Sequence, residues 1–110
     1  MHECEFSHRI MGHSIDVPCD QEMIDLAVEC AKETAGVNKM EISHDMLGGG
    51  EDVTFLMRDV QKHGGKATFM WLGANSTAPN HNSCFSIDEG VIALSAKLFC
   101  TMVFKLNGLK

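Results

Sequence analysis

Several absences in this 110-residue sequence narrow its class before any motif is considered. No apolar run approaches the roughly 20 residues that a membrane-spanning helix requires, so no membrane partner is expected. The first nine residues carry Glu3 and Glu5 and no apolar stretch, which reads against a secretory leader and for a cytoplasmic location. Lys and Arg number nine against fifteen Asp and Glu, and no basic cluster is interleaved with aromatics. Neutralising nucleic-acid phosphates takes clustered cations, so a nucleic-acid partner is not expected. There is no Cys-x-x-Cys, and the five cysteines are an odd number; reduced thiols fit better than a disulfide framework. Neither an internal repeat nor a low-complexity segment occurs.

What remains is one domain's worth of chain, with 45% hydrophobic residues and a net charge of −6. Too apolar for disorder, it is also too short for two cores. Charge is uneven: residues 1–52 hold twelve acids against three bases, whereas residues 53–110 hold three against six. The six cations are spaced apart and read as a solvated face.

Periodicity predicts a strand, helix, strand, helix, strand, loop, helix order, an α/β layer structure. Cys4 to Val17 reads as extended chain stopped by Pro18. Asp20 caps a helix to about Ala35, with Met23, Ile24, Ala27, Cys30 and Ala31 on one stripe and Gly36 at its end. A short strand is expected at Met40–Ser43. A second helix opens near Glu51 and Asp52, buries Val53, Leu56, Met57 and Val60, and stops at His63, Gly64 and Gly65. Lys66 to Gly73 is an apolar run of the kind covered on both faces of a sheet. Ser86 and Glu89 form a capping box for a last helix to about Leu106. That helix is expected to bury Val91, Leu94, Ala96, Leu98, Phe99, Met102 and Val103. Cys30 and Cys100 are expected to be small buried hydrophobes.

Two stretches could carry chemistry. Gly48, Gly49 and Gly50 suggest a phosphate loop, but no Lys-Ser/Thr follows. Glu51 and Asp52 stand instead at a helix N-terminus, where their charge repels phosphate. They serve either as ordinary first-turn acids or as the lining of a cation site that the glycines let the backbone approach. The loop from Asn75 to Phe85 is rich in hydrogen-bonding residues and follows a candidate strand, so His81 is the best metal-ligand candidate among six histidines. His81-x-x-Cys84 could be half of a mononuclear zinc site, though nothing supplies the other half.

An ordered series is made by Gly49-Gly50-Glu51-Asp52, Thr54-Phe55-Leu56-Met57, Gln61 to Gly65, Ala67-Thr68-Phe69, Leu72-Gly73, His81-Asn82, Phe85 and Asp88-Glu89. It resembles the C-terminal part of zinc-dependent amidohydrolases of the aminoacylase and carboxypeptidase G superfamily, most of all the p-aminobenzoyl-glutamate hydrolase type. The resemblance implies a parent enzyme, a metallopeptidase-type hydrolase that cleaves an N-acyl or N-aroyl amino-acid amide bond with metal-activated water. It implies zinc or manganese as cofactor, a small N-acyl amino acid or dipeptide-like substrate, and a homo-oligomer. Residues 1–17 would end a lid or dimerisation domain, and residues 18–110 would close the catalytic domain. His81 matches the family's final metal ligand; Gly49, Gly50, Glu51 and Asp52 match a signature that supports the site. No residue here matches the family's base or its other ligands, so no catalytic residue is assigned and the isolated chain is expected to be inactive. The rival expectation is a non-catalytic α/β interaction domain derived from such an enzyme, associating through Ala67–Leu72.

Overall fold

The computed structural model describes residues 3–43 and 51–108, and contains α1 (Gln21–Glu33), α2 (Val53–Lys62) and α3 (Gly90–Asn107). Among the described residues there is no β-sheet; the one β-bridge pairs Ser76 with Ile87, antiparallel. The expected α/β order is therefore corrected to an α structure with extended connections. A strand exists only as a member of a ladder, and an apolar run does not supply the partner. Residues 40–43 and 66–73 are extended without a neighbour to pair with. In 66–73 the backbone instead makes a local tie: Asp20 N–H donates to the Ala67 carbonyl at 2.9 Å. Trp71 is exposed and Phe69, Met70 and Leu72 only half-buried, so this segment is not covered on both faces.

α1 forms where expected, and Ala27, Cys30 and Ala31 of its stripe are buried. Asp20 sits at its N-cap in extended conformation, but the carboxylate does not cap. It accepts from the Ala67 N–H at 2.8 Å and from Gln61 Nε2 at 2.8 Å, while Gln61 Nε2 also reaches the Pro18 carbonyl at 2.9 Å. One carboxylate thus ties the start of α1, the end of α2 and the 66–73 segment. These donors hold the Asp20 carboxyl below the usual carboxylate range, the Ala67 N–H foremost. After α1 the chain turns through Gly36 at φ +105°, where an added Cβ would stand 3.2 Å from Leu94 Cδ1 of α3.

α2 ends at His63, Gly64 and Gly65, as expected from the glycines. Gly64 takes φ +81°, and a Cβ on Gly65 would clash with Val60. Thr54 and Met57 are buried, whereas Leu56 and Val60 are exposed, against expectation. His13 meets the Phe55 ring edge-on, and the Arg58 guanidinium lies 5.2 Å from the same ring.

α3 starts four residues later than the capping box predicts. Asp88 Oδ1, not Ser86, accepts from the Gly90 N–H at 2.9 Å. Leu98 and Met102 pack on α1 with Ala27, Cys30 and Ala31, and this cluster is the core. Lys105 bridges the two helices, with Nζ at 2.7 Å from both Glu29 and Glu33, and the paired carboxylates raise its pKa well above the lysine norm. Ala96, Phe99, Val103 and Cys100, expected to be buried, are exposed. α3 has 18 residues and a mean hydropathy of 1.4, long and apolar enough by length and composition to cross a membrane, against the expectation that no such stretch is present. Lys97 and Lys105 lie within it.

The structure extends 69 × 40 × 20 Å with a radius of gyration of 18.7 Å. A compact chain of this length has about 13 Å. One thin core, between α1 and α3, therefore supports a long, open molecule.

Candidate functional site

The Asn75–Asp88 loop is built as a short two-sided hairpin. Thr77 N–H donates to the Ser86 carbonyl at 2.9 Å and Asp88 N–H to the Asn75 carbonyl at 3.2 Å, flanking the Ser76–Ile87 bridge. Thr77 is the clasp: its hydroxyl donates to the Cys84 carbonyl at 2.7 Å and accepts from the Ser86 N–H at 2.9 Å. Across the tip, Asn82 Oδ1 accepts from the Cys84 N–H at 2.8 Å, an Asx turn, and Phe85 N–H donates to the Asn82 carbonyl at 3.0 Å.

His81 stands at this tip, exposed, with φ +65°. It is the one residue other than glycine with positive φ among the described residues. Histidine enters this left-handed region more readily than most side chains, yet at a cost. Turns on both sides hold it there, so the hairpin presents the imidazole outward on a fixed stalk. The loop's polar composition is enough to single out His81 in the sequence. The clasp by Thr77 and the positive φ are not legible there, because they depend on pairings across the loop.

Glu51 and Asp52 lie together at the start of α2. The Glu51 carbonyl accepts from the Thr54 N–H at 3.1 Å and the Thr54 hydroxyl at 2.7 Å, and the Asp52 carbonyl accepts from Phe55 N–H at 3.1 Å. Asp52 is exposed and Glu51 half-exposed. Gly49 and Gly50 lie outside the described residues. No hydrogen bond or ion pair joins His81 to Glu51 or Asp52 among the described residues.

A divalent-metal centre takes several ligands converging on one point. Among the described residues no group of three or more His, Cys, Asp or Glu side chains is placed to hold a metal ion. The residues present therefore do not fit a complete metal site, and His81 offers one imidazole. Cys84 and Cys100 are exposed and Cys30 is buried; all five cysteines are free. Burial raises the Cys30 thiol pKa, which keeps it an inert core group.

Comparison with known proteins gives the hairpin a context. A p-aminobenzoyl-glutamate hydrolase homolog of Haemophilus influenzae is 34% identical over 101 residues, 92% of this chain and 24% of the relative. The corresponding p-aminobenzoyl-glutamate hydrolase polypeptide of Escherichia coli is 30% identical over 89 residues, 81% of this chain and 20% of the relative. Indole-3-acetyl-aspartic acid hydrolase of Enterobacter agglomerans is 30% identical over the same length and shares. The chain thus spans about a quarter or less of the length of the curated relatives it matches. No solved structure gives a significant match. The model of peptidase family M20/M25/M40 matches residues 3–105, nearly the whole chain, and the chain belongs to that family.

Proposed function

We propose that this chain is a segment of a metal-dependent hydrolase that cleaves an N-acyl or N-aroyl amino-acid amide bond. Residues 1–17 end a lid and residues 18–110 close the catalytic part. The observation that carries the reading is the family match over residues 3–105, together with relatives whose names specify cleavage of p-aminobenzoyl-glutamate and indole-3-acetyl-aspartate. His81 is the segment's contribution, one imidazole ligand held outward by the Thr77 clasp. Glu51 and Asp52, with Gly49 and Gly50 before them, support the site. Zinc or manganese supplies Lewis-acid chemistry when bound, and its remaining ligands lie outside this chain. Alone, the chain turns nothing over.

A chimera tests this. The matching quarter of the Haemophilus influenzae relative is replaced by this chain, and hydrolysis of p-aminobenzoyl-glutamate is measured with zinc or manganese. Activity in the chimera, loss of about 10²-fold or more in His81→Ala, and none in the isolated chain are the expected results. A folded, metal-loaded chimera without activity, or robust amidase turnover by the 110-residue chain, would sink the reading.

A second reading is favoured by the exposed apolar surface and by the absence of an assembled ligand group among the described residues. In it the chain is a non-catalytic interaction domain derived from such an enzyme. An inactive chimera together with stable self-association favours it.

A further inference from the structure

We propose that two copies of this chain pair through the outward stripe of α3. The inference stands independently of the hydrolase reading. One side of α3 places Leu98 and Met102 against α1. A second side carries Ile92, Ala96, Phe99, Val103 and Leu106, all exposed, the four larger ones at least half so. Their spacing is four, three, four and three residues, the a/d alternation of a coiled-coil seam. A helix that lies singly on a surface turns a polar face to water instead.

Charge and shape also suit a second copy. The flanking residues Ala93, Ser95, Cys100, Met102 and Asn107 are uncharged, so two copies meet here without repulsion although each carries a net −6. Lys105 is turned to Glu29 and Glu33, and Lys97 lies off the seam. With the helices antiparallel and the two-fold axis between Ala96 and Phe99, the Phe99 ring of each copy covers the Ala96 gap of the other. An apolar groove of about 260 Å³ runs beside the seam between Met70, Phe99, Val103 and Leu106, and widens the contact. Side chains of this size, half exposed, offer roughly 100 Å² each. With Ala96 and the flanks that is about 500 Å² per copy, and the pair reaches the lower bound of about 1,000 Å² for a specific interface. A bilayer is the lesser match for this helix, because the Lys97 charge stands near its middle.

Sedimentation equilibrium of the 110-residue chain up to about 100 µM is the test. The expected species is a dimer of twice 12.1 kDa. Val103→Glu and Ile92→Glu each weaken it by roughly tenfold or more, with helical circular dichroism retained. Ile92→Leu keeps it, as does Leu56→Glu, which changes an exposed leucine of α2 outside the seam. A monomer throughout that range, open-ended aggregation, equal disruption by Leu56→Glu, or monomers that sediment with phosphatidylcholine vesicles would each overturn the proposal.

Discussion

Leu98→Ala tests whether the thin α1–α3 contact is what holds this fold. Leu98 is 3% exposed and packs among Ala27, Cys30, Ala31 and Met102. The change removes three carbons, worth about 0.8 kcal/mol each in transfer, or roughly 2.4 kcal/mol. A cavity term adds to this; Leu→Ala changes in cores cost about 2–5 kcal/mol overall. Met102 beside it is flexible and the molecule only 20 Å thick, so the site collapses in part and about 3 kcal/mol is expected. Domains are stabilised by about 5–15 kcal/mol in total, and one this extended belongs at the low end. The assay is urea unfolding followed by circular dichroism, where that loss lowers the midpoint by about 1–3 M at an m-value of about 1–3 kcal/mol/M. Phe104→Ala is the control: same helix, 59% exposed, and expected within about 0.5 kcal/mol of the parent. Equal losses in the two variants, or a Leu98→Ala loss below about 1 kcal/mol, would refute the assignment of the core.

Asp20 gives an acid limit. Its folded pKa is depressed by the Ala67 N–H and Gln61, so its stabilisation is complete above the unfolded value near 3.8 and fades as pH falls below it. In Asp20→Ala an acid titration of the circular dichroism signal should lose that component. Lys105 has the opposite sign: its pKa is raised by Glu29 and Glu33, so its stabilisation is present below the ordinary lysine value and fades at more alkaline pH. Glu29→Gln with Glu33→Gln should remove both this alkaline dependence and its sensitivity to salt. Thr77→Val should speed hydrogen exchange at the Ser86 amide, which loses its side-chain acceptor; unchanged exchange would show that the clasp does not hold the hairpin. His81→Gly relieves a positive φ and should leave stability within about 0.5 kcal/mol of the parent or better, while abolishing activity in the chimera; a large loss of stability would mean that the imidazole has a structural role.

How far the sequence can be read depends on the range of the interactions involved. The helices are legible because their causes are local: apolar residues at helical spacing in 21–33 and 53–62, and the Gly64-Gly65 stop behind His63. The strand expected at 66–73 fails because an apolar run states only that surface is to be covered. The ladder that would make it a strand depends on distant backbone, and among the described residues that reduces to the Asp20–Ala67 tie. The same reasoning explains α3, where two apolar stripes read as one buried face. Only the stripe of Leu98 and Met102 finds a neighbour in α1; the other reaches Phe99 and Val103 and meets none. His81 is legible from its polar loop and from the family resemblance, but the hairpin that aims it is not, since Thr77 and Cys84 are seven residues apart and joined by side-chain chemistry alone. Among the described residues more large apolar side chains are exposed than buried. An apolar pattern therefore measures how much surface a chain must hide, and the structure decides how much the chain hides by itself. Here the core hides one face of α3, and the remaining stripe, with its coiled-coil spacing and uncharged flanks, is where a second copy fits.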